Sequence, residues 1–182
     1  MPGNNRRPSL LLLAAMLAVC LCVPVSHAGA DAFDTFRDPH GQPARLALDF
    51  SLPSLQDNSL SLTDYRGKLV LVNFWATWCA PCGKEMPGME ALYQRFKGRG
   101  LVVLAVAVDD GSKKRVKAFV EKYRLSFPVV LDPDSQVSDL YEVAGLPATY
   151  LIDAQGMLKG HVTGIRDWNS PEATALIEAM LP

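Results

Sequence analysis

Three features of the sequence predict an α/β fold with a central mixed β-sheet flanked by helices. Two apolar runs, at residues 69–75 and 101–108, are each followed by apolar residues at helical spacing. Alternating strand and helix implies a parallel core with right-handed crossovers. Near the end, residues 148–152 and 157–162 flank the turn Asp153-Ala154-Gln155-Gly156, and this hairpin adds antiparallel strands.

The chain has 182 residues, 49% of them hydrophobic, and a formal net charge of −1. That suffices for one globular domain plus a targeting segment. No nucleic-acid partner is expected, because the densest basic group, Lys113-Lys114-Arg115, suits the solvated face of a helix. Residues 1–30 read as an export signal: Arg6-Arg7, an apolar core from Leu10 to Val25, then the small-x-small site Ser26-His27-Ala28. An uncleaved membrane anchor is the alternative. Residues 31–44, punctuated by Pro39, Gly41 and Pro43, read as a flexible linker. Residues 45–182 form the folded domain, expected to lie in the periplasm or otherwise outside the cytoplasm.

Within the domain, Leu46, Leu48, Phe50 and Leu52 alternate with period two, and Leu60 and Leu62 resume the alternation after Asp57-Asn58-Ser59. This predicts an N-terminal β-hairpin. Residues 69–75 are a short continuous apolar run, as in a buried strand. Met86, Met89, Leu92/Tyr93 and Phe96 then mark a helix. Residues 101–108 are an interior strand covered on both faces. Asp109-Asp110-Gly111-Ser112 ends it and caps a helix with the inner stripe Val116, Phe119, Val120 and Tyr123. After a short extended piece at 127–131, a further helix carries Val137, Leu140, Tyr141 and Ala144 and stops at Gly145. The last helix opens at Ser170-Pro171 and buries Ala173, Leu176, Ile177 and Met180.

The chemistry concentrates where the first long strand meets its helix, in Trp75-Ala76-Thr77-Trp78-Cys79-Ala80-Pro81-Cys82. Cysteines three apart on a first helical turn share a face and are close enough to form a disulfide. Unpaired amides and the positive end of the helix dipole favour a thiolate at Cys79. If the signal leaves with Cys20 and Cys22, this pair holds the remaining cysteines. A structural staple is the alternative, but so short a loop constrains the unfolded chain least. Redox chemistry is therefore expected.

The stretch Asn73-Phe74-Trp75-Ala76-Thr77-Trp78-Cys79-Ala80-Pro81-Cys82, with Lys84-Glu85-Met86-Pro87 behind it, resembles the active site of TlpA/ResA-type extracytoplasmic thiol–disulfide oxidoreductases. These form part of the redoxin group of the thioredoxin superfamily. The likeness runs from about Leu48 to the C-terminus and implies a thioredoxin-like fold with an N-terminal hairpin and a central helical insertion. Gly145-Leu146-Pro147-Ala148-Thr149-Tyr150-Leu151-Ile152-Asp153 resembles the family's Gly-x-Pro-x-Thr-Phe-Leu-Ile-Asp signature. It implies a cis Pro147 against the cysteines and a Leu146 backbone that pairs with substrate. The family has a functional glutamate at the position of Glu85, which suggests a proton carrier for Cys82. A solvated carboxylate that complements the helix dipole is the other reading. Pro87, unable to donate to the Gly83 carbonyl, should kink that helix.

Asn73 departs from plain thioredoxins, which have a titratable aspartate there; this moves the proton burden toward Glu85 or water. Trp75 and Trp78 are expected to pack around Cys82, with Trp78 a candidate substrate contact. Thr77 and Cys79 are two apart, against the Thr-x-x-Cys of peroxiredoxins, which disfavours peroxidase activity. No cofactor is expected.

The resemblance implies reduction of protein disulfides, for cytochrome c maturation, copper-site assembly or a similar task. The substrates would be proteins such as apocytochrome c or copper-site proteins. A membrane thiol–disulfide electron conduit would recharge a monomeric enzyme. The competing reading is a copper-delivery module holding the metal through Cys79, Cys82 and His161. Copper carriers on this scaffold, however, space their cysteines one residue wider.

Overall fold

The computed structural model describes residues 45–182; the signal and linker expectations lie outside the described residues. The order is β1 (Arg45–Leu46), β2 (Ser51–Pro53), β3 (Ser59–Ser61), β4 (Leu69–Trp75), α1 (Ala80–Phe96), β5 (Leu101–Ala107), α2 (Lys113–Tyr123), β6 (Val129–Leu131), α3 (Gln136–Leu140), β7 (Ala148–Ile152), β8 (Met157–Thr163) and α4 (Pro171–Met180). A six-stranded sheet runs β1-β8-β7-β4-β5-β6, and β2 and β3 form a separate two-stranded hairpin. β4, β5 and β6 are parallel, while β7 and β8 run antiparallel to their neighbours. This is the predicted mixed sheet.

β4 is buried along its whole length, so its alternation sorts side chains between two cores rather than between core and water. Leu69, Leu71 and Trp75 pack with α1, α2 and α4 through Met86, Met89, Phe96, Val116 and Ile177. Val70, Val72 and Phe74 face the other side, where Phe50, Leu52, Leu62, Val137 and Tyr141 cover the sheet. By the same alternation Asn73 falls on the α1 face. α1 continues through Pro87. α4 starts where expected, with Ser170 Oγ accepting the Ala173 amide at 3.1 Å.

Two expectations are corrected. The N-terminal hairpin is shorter than the alternation suggests: Ser51–Pro53 pairs with Ser59–Ser61, whereas Arg45 and Leu46 join the main sheet against β8. Ala47, Phe50 and Leu52 are buried while Leu46 and Leu48 are exposed, because the segment between the two pairings is not a strand. The helix after β6 ends at Leu140, not at Gly145. Glu142 adopts a left-handed backbone (φ 54°) that no α-helix continues through. Its start is fixed by Asp132, whose buried carboxylate accepts the Val137 and Ser138 amides.

The β7–β8 turn closes through Gly156, at φ 80°. A Cβ there would overlap the Arg66 guanidinium, which donates to the Gln155 carbonyl at 2.9 Å. Gly156→Ala is expected to cost about 1–2 kcal/mol, read as a lower urea midpoint with thiol exchange unchanged.

Candidate active site

Sheet register assembles the site at the C-terminal end of β4. The chain leaves β4 at Trp75, turns with the Cys79 amide donating to the Ala76 carbonyl at 3.2 Å, and enters α1 with Cys79 as N-cap. Cys79 and Cys82 are joined as a disulfide, S–S 2.10 Å, and the Cys82 amide donates to Cys79 Sγ at 3.2 Å. Pro81 sits in the first turn, where its missing N–H costs nothing. Cys82 is fully buried and Cys79 is 6% exposed, so Cys79 is the more accessible residue of the pair. Gly83 lets α2 approach: a Cβ there would lie 2.8 Å from Tyr123 Oη.

β4 and β5 are parallel with Trp75 beside Ala107, so Thr77 and Asp109 emerge together two residues further on. The buried Asp109 carboxylate accepts the Thr77 amide at 2.9 Å and also the Thr77 hydroxyl. Asp109 therefore fastens the turn before Cys79, and the Ser112 that follows makes no side-chain cap to α2. On the other side β7 pairs antiparallel with β4, Ala148 beside Phe74. That register brings Leu146 and Pro147 level with the cysteine turn, and their peptide bond is cis. β8 pairs Thr163 with Ala148, and the Gly164 amide donates to the Pro147 carbonyl at 2.7 Å. Residues 165–168 are thereby delivered to the same place.

There they meet Glu85. It is 3% exposed, not a solvated carboxylate: at three residues past Cys82 it points into the core beneath the pair. Its Oε1 accepts Asn73 Nδ2 at 3.0 Å; its Oε2 accepts the Arg166 amide at 3.2 Å and the Trp168 indole Nε1 at 3.3 Å. Asn73 also donates to Thr149 Oγ1 at 3.0 Å, across the β4–β7 pairing. Burial pushes the Glu85 carboxyl up to about 7. The Arg166 amide, the Asn73 amide and the Trp168 indole oppose it, and the Arg166 charge opposes it less.

Trp75 packs on Phe119, ring centroids 4.5 Å apart. Trp78, expected to pack around Cys82, is instead 68% exposed beside Cys79, because it lies in the turn outside the sheet. Ile165 is a second exposed apolar residue on the segment next to Glu85's donors. His161 lies on β8, stacked on Tyr150 at 5.0 Å. Among the described residues no three of His, Cys, Asp and Glu gather as a metal site, so Cys79, Cys82 and His161 are not assembled as the copper set would require. No described helix is long and apolar enough to cross a membrane.

A Cys-x-x-Cys disulfide at a strand-to-helix turn, on this sheet, is the arrangement of thioredoxin-fold thiol–disulfide oxidoreductases. The chain belongs to the AhpC/TSA family, whose model matches residues 43–161. It is 47% identical over 118 residues to the thiol-disulfide oxidoreductase ResA of Geobacillus thermodenitrificans, covering 65% of this chain and 67% of that one. The thioredoxin-like protein YneN of Bacillus subtilis is 38% identical over 151 residues, 81% of this chain and 86% of its own length. Among solved structures, a Chlorobium tepidum protein assigned as the thiol:disulfide interchange protein DsbE aligns with TM-score 0.71 and 32% identity, covering 78% of this chain and 99% of that one.

The Glu85 environment makes stability depend on pH. Its carboxyl titrates near 7 when folded, against 4.5 for the free group, so the folded state binds the proton more tightly. Stability conferred by that proton is complete below about pH 4.5 and is lost as pH rises through 7. The difference of about 2.5 units corresponds to a loss on the order of 3 kcal/mol. Urea denaturation between about pH 5 and 8 is expected to show this decline in the wild type and not in Glu85→Gln.

Proposed function

We propose that this enzyme is an exported reductase of protein disulfides. The observation that carries the reading is the asymmetry of its cysteine pair: Cys79 at the accessible end of α1, Cys82 one turn inside above a buried, proton-competent Glu85. In this reading the Cys79 thiolate, favoured by the Cys82 amide and the helix dipole, attacks one sulfur of a substrate disulfide. The other substrate sulfur leaves as a thiolate, and Cys79 is held in a mixed disulfide. Cys82 then gives its proton to Glu85, and its thiolate attacks Cys79 Sγ, expelling the second substrate thiolate. The substrate gains two electrons and the enzyme ends as the Cys79–Cys82 disulfide. A thiol donor of the membrane, acting as electron conduit, returns it to the dithiol.

Supports for this reading come from several sides. The Leu146 backbone, beside the cysteine turn, offers an extended segment to a substrate chain, and Trp78 offers an apolar contact next to it. Ala80-Pro81 places no side-chain donor between the cysteines, which leaves the thiolate less stabilised than in strong oxidants and favours reduction. Relatives named thiol-disulfide oxidoreductase and DsbE point to protein thiols as substrates, with apocytochrome c or copper-site proteins fitting the class. The signal-like residues 1–30 support action outside the cytoplasm, with residues 31–44 as linker or tether.

Cys82→Ser is expected to accumulate reductant-sensitive covalent complexes with disulfide substrates on non-reducing gels, and Cys79→Ser to form almost none. Equal trapping by both would reverse or void the assignment. Equilibration with glutathione should place the couple nearer about −270 mV than about −120 mV; a value above about −160 mV would overturn the reductase direction.

A further inference from the structure

Glu85 is held almost entirely by groups far from it in sequence, and their distribution over its two oxygens is uneven. A carboxylate oxygen offers two lone pairs. Oε2 accepts two N–H groups, the Arg166 amide and the Trp168 indole, so both of its lone pairs are engaged. Oε1 accepts one, from Asn73, whose other bond goes to Thr149. One lone pair of Oε1 remains for a proton. All three neighbours present hydrogens, so each stabilises the ionised carboxylate against its burial.

We propose that Trp168 is a positioning residue of this enzyme: its indole N–H, with the Arg166 amide, saturates Glu85 Oε2, directs the Cys82 proton to Oε1, and sets the pH at which Glu85 can accept it. The proposal rests on Glu85 being the proton carrier. Its geometry is dictated by the fold. Gly164 is bonded to Pro147, and α4 is capped at Ser170, two residues after Trp168, so the five residues between are held at both ends. Trp168 is itself 1% exposed, packed in the core shared with α1 and α4. Among charged side chains the Arg166 guanidinium acts on the Glu85 carboxyl; Cys82 precedes Glu85 by about one turn on α1, and Asp167 on the loop is exposed. The neighbours of Glu85 on β4 and β7, Asn73 and Thr149, carry no charge. Of the loop's side chains, only the Trp168 indole donates to Glu85, while Arg166 donates through its backbone and its Nη1 bonds to the Ile165 carbonyl.

The test begins with the wild-type protein in its disulfide form, where neither cysteine titrates. The ¹H–¹⁵N indole resonance of Trp168, followed from about pH 5 to 9, is expected to shift with a midpoint near that of the Glu85 carboxyl, and to lose this titration in Glu85→Gln. An indole resonance that does not move with pH overturns the proposal, whether or not any variant folds. Trp168→Phe removes the donor and keeps an aromatic ring. It is expected to raise the Glu85 midpoint, read by ¹³C-carboxyl NMR, by about one pH unit, the scale of a hydrogen bond to a charged group. Because Glu85 must be ionised to take the proton, the pH profile of mixed-disulfide resolution should move alkaline by the same amount, about tenfold slower below the midpoint. An unchanged Glu85 midpoint in Trp168→Phe overturns the role of Trp168 alone. A shifted midpoint with an unmoved rate profile overturns the proton-carrier reading of Glu85, and the positioning role of Trp168 with it.

Discussion

A carboxyl group taken out of water beneath a disulfide is the constraint around which this molecule is arranged. An ionised carboxylate left alone in an apolar interior is costly enough that it would simply hold its proton. Here β4 supplies one donor and the segment after β8 supplies two, and the result is a group balanced between its two states near neutrality. Every one of those donors is in place because of strand register. Asn73 faces α1 because β4 alternates between two cores. Thr149 meets Asn73 because β7 runs antiparallel beside it. Arg166 and Trp168 arrive because β8 follows by a short turn and α4 is capped at Ser170. Shifting any of these pairings by one residue would turn the relevant side chain to the opposite face.

The cysteine turn depends on the same sheet from its other side. Parallel pairing of β4 with β5 sets Asp109 against Thr77, and the carboxylate ties down both the amide and the hydroxyl of the residue two before Cys79. Two buried carboxylates thus serve the site differently. Asp109 spends its oxygens on the backbone and side chain of the turn. Glu85 keeps one lone pair of Oε1 unengaged by the donors around it. Trp75 lies under the turn against Phe119, and Trp78, a few residues on, is left in the open.

Much of this was legible in the sequence where the information is local. Residues 69–75 and 101–108 are apolar on both faces and so can only be interior strands. Pro81 and Ser170-Pro171 mark helix starts because proline fits a first turn. The Cys-x-x-Cys and Leu146-Pro147 stand out because few residue types suit those positions. What was not legible depends on the partner rather than the residue. Glu85 could also be read as a solvated helix-start carboxylate, since nothing near it in sequence reveals that 165–168 close over it. Trp168 carried no signal beyond being an aromatic residue just ahead of a capped helix. Asp109 resembled a cap for α2, and its bond to Thr77 follows only from the parallel register. The alternation through Leu46 and Leu48 suggested one long strand. The chain divides that segment between two sheets, and a pattern of period two cannot say which sheet a residue joins. Glu142, as a non-glycine in a left-handed conformation, ends α3 where no glycine announces it.

Among the described residues the sheet's two outer strands are its shortest: β1 contributes two residues and β6 three, whereas β4, β5 and β8 have seven each. A long bare rim would recruit any extended polypeptide indiscriminately, and such rims seed aggregation. The β6 rim is met by the segment after β2, where Ser54 bridges Val130 and the Leu55 amide donates to the Val129 carbonyl at 3.2 Å. Short, partly covered rims give an extended polypeptide little backbone to pair with, which guards the folded domain against strand-by-strand aggregation.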